Sequence, residues 1–375
     1  MKRFQQDIIA RDLVRKMVFI TGPRQVGKTS LALAIAEGFT QSVYLNYDNF
    51  SHRDIIHKAE WLPETRLLIL DELHKMEGWK NFLKGIYDVK PPYQQILVTG
   101  SARLEAFRQS GDSLAGRFFR HRLHPFSMAE IPNASGNDLD SLLVRGGFPE
   151  PFLAESDDDA NRWRSQYIDG LIRTDILDFE KIHDFRAIQL TLELLRRRVG
   201  SPVSWTSLAR DVNCSPNTIK RYVEILESLF IVFRVTPFHR NIGRSLLKEP
   251  KIYFYDTGMV KGDEGVRLEN LVATSLLKHL DYREDSKGKL CKLETLRTKE
   301  KKEVDFVLVE DDEPKLIVEV KLSDAGICSS LRYFHRKYGL EAAQVVKNIN
   351  YERMVDGIQL RRAENFLRDL RSDSE

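Results

Sequence analysis

Apolar residues run along this chain in two rhythms. Short continuous runs lie in MVFIT (17–21), RLLIL (66–70) and QQILV (94–98, followed by Thr99), each followed by small, polar or acidic residues, as expected of strands buried on both faces of a sheet. Between Ala160 and Arg198, WRSQYIDGLIRTDILDFE and IQLTLELLRRRV repeat instead at helical spacing. Strand, helix, strand, helix, strand in the N-terminal third predicts an α/β fold, a parallel sheet with helices on both faces and a ligand at the carboxyl ends of the strands. From Gly265 onward the pattern predicts a helix (RLENLVATSLLKHL), three strands (LCKLETLR, EVDFVLV, KLIVEVK), a helix (SSLRYFHRKY) and a strand (AAQVVKNI), with a hairpin turn at Glu310–Pro314.

Polar stretches at SGNDLD (135–140) and ESDDD (155–159) punctuate the chain. The expected division is a core over 1–134, a helical lid or connector over 135–198, a helix-turn-helix segment over 199–245 and a second α/β domain over 246–375. In Ser201–Val235 two amphipathic patterns are separated by Asn213 and Cys214, with Ser215 as N-cap and Pro216 in the first turn of the second helix, and an apolar strand follows. That is the plan of a winged helix-turn-helix, whose second helix would expose Asn217, Thr218, Lys220 and Arg221. Lys220 and Arg221 are the candidate DNA contacts, and the same plan serves equally for packing against protein.

Composition narrows the class only a little. In 375 residues, 42% are hydrophobic and 30% charged, with a net charge of +3, which describes a globular chain of two or three domains without a strong polyanion signature. No run of about 18 or more apolar residues is present and the N-terminus is charged throughout, so neither a membrane span nor a signal peptide is expected and the expected location is cytoplasmic. Cys214, Cys291 and Cys328 are widely spaced and read as reduced thiols.

The chemistry concentrates first in TGPRQVGKTS. Gly22, Gly27, Lys28 and Thr29 satisfy GxxxxGK[ST], between a strand and a helix. Gly22, Pro23, Arg24, Gln25, Val26, Gly27 and Ser30 would line the nucleotide phosphates, through backbone N–H groups at every position but Pro23, which has none. Lys28 supplies a point charge, Thr29 a hydroxyl for Mg²⁺, and the helix directs its positive end at the same anions. LLILDE adds Asp71, placed to hold the ion, and Glu72, placed to orient or deprotonate water. Ser101, after the third strand, is a candidate contact to the γ-phosphate or the water.

These segments, with SLAGRFFRHRLHPFSMAE and RGGFPEP, resemble the AAA-type P-loop ATPases of bacteria and archaea that carry a C-terminal nuclease-like domain. The resemblance implies ATP and Mg²⁺ as ligands, action on duplex or branched DNA, and a homo-oligomer, a hexameric ring being the candidate form. It also implies an arginine finger at Arg117, for which Arg120 and Arg122 are alternatives; a planar cation suits charge spread over phosphoryl oxygens. In the C-terminal region, Asp305, Glu319 and Lys321 are similar to the acid–spacer–[DE]xK pattern of restriction-endonuclease-like domains (PD-(D/E)xK), with Glu269 on the preceding helix and Val304 where the strict pattern has proline. That likeness implies a second Mg²⁺ or Mn²⁺ at these carboxylates, with Lys321 orienting or activating a water. The plainer reading of Glu319 and Lys321, two residues apart on one strand face, is mutual neutralisation. The alternatives to a coupled nuclease are an ATP-dependent switch or scaffold, or a DNA-remodelling motor, in which the C-terminal domain only binds.

Overall fold

MVFIT is buried at every position, so both faces of this strand are covered. It is β1 (Met17–Thr21) of a five-stranded sheet with β2 (Ser42–Asn46), β3 (Leu67–Asp71), β4 (Gln95–Thr99) and β5 (Phe118–Arg122), in the order β2-β3-β4-β1-β5. All four pairings are parallel, and Asp71 and Thr99 are register partners at the strand ends. β2 and β5 are the edges. Their sequences, SVYLN and FFRHR, are only partly buried, which is why no continuous apolar run announced them.

A computed structural model describes residues 1–100, 114–171, 185–238, 249–298, 300 and 302–370. Two compact units emerge, Met1–His124 and Pro125–Glu375. In the first, Phe19, Leu68, Leu70 and Val98 pack with Trp79, Leu83 and Ile86 of the amphipathic helix Trp79–Val89. Phe19 also stacks on Phe118 with ring centroids 4.5 Å apart, joining the central strand to the edge strand β5.

The second unit contains β6 (Val232–Pro237), β7 (Lys251–Phe254), β8 (Cys291–Arg297), β9 (Glu303–Glu310), β10 (Glu313–Ser323), β11 (Glu341–Asn348), β12 (Arg353–Val355) and β13 (Ile358–Arg362). They form one sheet in the order β12-β13-β11-β10-β9-β8-β6-β7. β9 and β10 are joined by a two-residue turn in which Asp311 and Asp312 both have positive φ, 51° and 62°, and Glu310 faces Glu313. Positive φ at both central residues matches the twist of a tight hairpin.

Helices Trp205–Val212 and Pro216–Ser228 precede β6. Asn213 between them takes φ 60°, and the Ser215 side chain accepts from the Thr218 N–H. β6 runs antiparallel to β7 and parallel to β8, so the helix–turn–helix segment and the C-terminal strands share one sheet across the boundary expected at 245. The 24-residue helix Glu264–Lys287 packs on this sheet, capped by Asp263 at its N-terminus. Among its buried side chains, Lys278 is tied to Glu130 and to the Pro125 carbonyl.

Candidate functional site

The turn after β1 is built for close backbone approach. Gly22 has φ 147°, and a Cβ there would overlap the Leu123 carbonyl at the end of β5. Gly27 has φ 95° and precedes the helix Lys28–Ala36, whose first N–H groups open onto the loop. Lys28 lies inside this loop and donates to the carbonyls of Gly22 at 3.1 Å and Pro23 at 2.6 Å. Burial lowers its ammonium to about 8, partly offset by Glu72 and Asp71.

Asp71 ends β3 and is 3% exposed. Its Oδ2 accepts from the Thr29 hydroxyl at 2.9 Å and the Tyr44 phenol at 2.7 Å, and its Oδ1 accepts from the Thr99 hydroxyl. Burial and the bond to Asp71 push Tyr44 up to about 12, so it remains a donor. A hydroxyl and a carboxylate side by side at the start of a helix form a hard-oxygen donor set that fits Mg²⁺ with water completing the shell. Glu72 follows in the left-handed region, φ 54°. Burial raises its carboxyl, against the pull of Lys75 at 3.5 Å. His74 lies 3.6 Å from the same carboxylate.

Arg117 is engaged by both nitrogens with Asp88, Nε to Oδ1 at 2.9 Å and an Nη to Oδ2 at 3.1 Å. Arg120 and Arg122 lie on β5, where the Arg122 carbonyl accepts from Gln5. Ser101 lies outside the described residues.

In the second unit Glu269 and Asp305 come together, but around a residue that the motif does not contain. Lys251, at the start of β7, places Nζ 2.7 Å from Glu303, 3.5 Å from Asp305 and 3.5 Å from Glu269. Burial opposes its charge, yet the three carboxylates outweigh burial and raise its pKa. The Tyr253 hydroxyl donates to Glu269 at 2.6 Å, and the Val320 N–H donates to Asp305 at 2.9 Å. Burial first, then Asp305, lifts Glu269 to about 7. Glu319 accepts from Lys321 at 2.6 Å through Oε1, while its buried Oε2 makes no hydrogen bond of ordinary geometry among the described residues and has the Cys328 thiol nearby. Burial and Asp305 raise its carboxyl as well.

The expected second Mg²⁺ or Mn²⁺ does not fit this donor set. Among the described residues no group of three His, Cys, Asp or Glu side chains that could hold a metal ion is found, and an ammonium sits among Glu269, Glu303 and Asp305. Glu319 and Lys321 form an ion pair at 2.6 Å.

Residues 14–132 match the family model described as an AAA domain. With the parallel sheet, the loop after β1 and the acid ending β3, the first unit is an AAA-type P-loop domain. Residues 136–265 and 264–360 match two domains of unknown function, DUF8612 and DUF4143. Uncharacterized protein Rv2008c of Mycobacterium tuberculosis is 27% identical over 248 residues, covering 65% of this chain and 55% of the relative, so the match spans about half of that protein. An uncharacterized protein of Haemophilus influenzae is 25% identical over 336 residues, covering 78% and 80%. Similar solved structures include the Walker-type ATPase PABY2304 of Pyrococcus abyssi, at TM-score 0.43 and 15% identity over 71% of this chain and 96% of that one. RuvB of Thermotoga maritima gives 0.30 and 17%, over 62% and 87%.

Sequence reasoning missed Tyr44, Thr99, Lys251, Tyr253 and Glu303. Thr99 ends the third apolar run, and its place beside the strand ending in Asp71 was a usable signal. Lys251 and Tyr253 gave none, since only the tertiary fold brings β7 near β9.

Proposed function

We propose that this protein binds and hydrolyses ATP with Mg²⁺ in its first unit, and that the nucleotide cycle drives a second unit that holds DNA without cutting it. The observation that carries the nucleotide reading is the convergence of Lys28, Thr29, Asp71 and Glu72 at the ends of β1 and β3. Lys28 would leave the loop carbonyls for the β- and γ-phosphates, which share its location at the helix N-terminus. Thr29 and Asp71 would hold Mg²⁺, which supplies charge neutralisation on the phosphate oxygens. Glu72, poised by burial to accept a proton, would orient the attacking water. Ser101 stands as the further γ-phosphate contact.

Arg117 is proposed as a finger reaching another copy's ATP in a homo-oligomer. That role requires it to exchange Asp88 for phosphoryl oxygens, which its planar fork is suited to do. DNA as partner is supported by the helix–turn–helix segment, where Asn217, Lys220 and Arg221 are exposed on the second helix. A restriction-endonuclease-like origin for the C-terminal region is supported by the order helix, β8, β9, β10, helix, β11 with Asp305, Glu319 and Lys321 on adjacent strands. Lys251 among the acids favours the binding-only form of that domain over the cleaving one.

The test is nucleotide hydrolysis by wild type, Lys28→Ala and Glu72→Gln, with salt-dependent retention of duplex and branched DNA measured with and without ATP. Hydrolysis retained in Lys28→Ala rejects the ATP site. DNA retention unchanged by Lys220→Ala with Arg221→Ala rejects the helix–turn–helix as the contact.

A further inference from the structure

β9 sets two acids on one face of the sheet, since Glu303 and Asp305 are two residues apart and strand side chains alternate. The helix Glu264–Lys287 brings a third, Glu269, from above. Three carboxylates in a protected place need a positive charge, and a hard divalent cation is the usual answer. Here the charge comes from the chain itself. The Lys251 side chain is 4% exposed and touches all three acids, at 2.7, 3.5 and 3.5 Å.

Two of the other oxygens are engaged elsewhere: Asp305 Oδ2 accepts from the Val320 N–H, and Glu303 Oε2 lies 3.5 Å from Arg297 Nε. Glu269 Oε1, the oxygen facing Lys251, also accepts from Tyr253. Gly200 closes the cluster behind Glu269, because a Cβ there would stand 2.7 Å from Oε1. Lys251 itself is fixed by the backbone on both sides. It is paired in register with Val235 and bridged to Pro202. A tethered ammonium so held needs no capture from solution, and a cation approaching the acids would meet like charge at contact distance.

We propose that Lys251 is the built-in cation of this cluster: it excludes divalent metal from Glu269, Glu303 and Asp305, and its removal converts the three acids into a binding site for a hard oxygen-seeking cation. The inference concerns the second unit alone and stands whether or not the first hydrolyses ATP.

The probe is Tb³⁺, an oxygen-seeking ion whose emission is sensitised by a neighbouring aromatic ring, and Tyr253 lies against the cluster. The full chain is used with Asp71→Asn, which removes the carboxylate assigned to Mg²⁺ in the first unit. With Lys251 intact, no saturable emission attributable to Asp305 or Tyr253 is expected. Adding Lys251→Met should tighten Tb³⁺ binding by at least about tenfold, since a unit of like charge at contact has gone. That emission should vanish with Asp305→Asn and fall with Tyr253→Phe. A folded Lys251→Met protein, checked by circular dichroism, that binds no more tightly than its parent overturns the proposal. So does tight binding with Lys251 present that Asp305→Asn abolishes.

A second measurement does not depend on the Lys251 variant folding. The Asp71→Asn chain should melt at the same temperature in Mn²⁺ and in chelator. A Mn²⁺-dependent rise in Tm that Asp305→Asn cancels shows a metal site there and overturns the proposal.

Discussion

Thr29 donates its hydroxyl to Asp71 over 2.9 Å, joining the helix after β1 to the end of β3 across 42 positions of sequence. The contact puts a helix N-terminus, a hydroxyl and a carboxylate at one point, the minimum for holding a nucleotide with its metal.

Removing either partner should separate nucleotide binding from hydrolysis. Thr29→Ala and Asp71→Asn are expected to lower kcat by about 10²-fold or more, as loss of a preorganised charge-stabilising group does. Nucleotide affinity should fall far less in the absence of Mg²⁺. Steady-state hydrolysis against Mg²⁺ concentration checks this, and wild-type kcat in Asp71→Asn removes Asp71 from the metal role.

Lys28 makes nucleotide binding pH-dependent. Its ammonium is lowered to about 8 by burial, so without nucleotide it loses its proton as pH rises through that value. Phosphate oxygens favour the charged form, so ATP affinity should weaken above about pH 8, approaching about tenfold per pH unit. For folding the sign is opposite. A depressed lysine pKa means that the unfolded chain binds more protons between about 8 and 10.5, so this group's burial penalty is full below about 8 and is relieved as pH rises across that window. Affinity by calorimetry across this range is the check. Lys28→Met should bind weakly and show no such slope.

Asp88 and Arg117 form a bidentate pair within one chain, so a finger role predicts unequal effects of removing them. Arg117→Ala should reduce hydrolysis by about 10³-fold or more, the usual worth of such a group. Asp88→Ala should leave hydrolysis near wild type. Mixing Arg117→Ala with Glu72→Gln chains should restore part of the activity through mixed sites; no recovery counts against a site shared between copies.

Arg164 and Asp256 are paired at 2.8 Å with side chains 4% and 0% exposed. Asp256→Ala leaves the buried guanidinium its bonds to Asn161 and the Arg145 carbonyl but removes its carboxylate, and should destabilise the second unit by about 3 kcal/mol, read by urea unfolding. Gly146→Ala should act on the same place, because its Cβ would overlap the Asp256 carboxylate and its φ is 77°.

The phosphate-binding loop was legible because its physics is local. Glycines, lysine, threonine and a helix start lie within a few residues of one another, and the buried strands β1, β3 and β4 are apolar throughout their inner parts. β2 and β5 were missed because edge strands carry mixed sequences, and Tyr44 went with β2. β6, before the boundary expected at 245, pairs with β7 and β8, which both lie after it.

The C-terminal acids show the limit most clearly. The sequence by itself determined that Asp305, Glu319 and Lys321 would stand on adjacent strands, because side-chain alternation and hairpin chemistry are written locally. Only the tertiary structure decided what neutralises Asp305: Lys251 reaches it from β7, with β8 and β6 between them in the strand order, and the charge balance of a buried cluster depends on every group within contact, however distant in the chain.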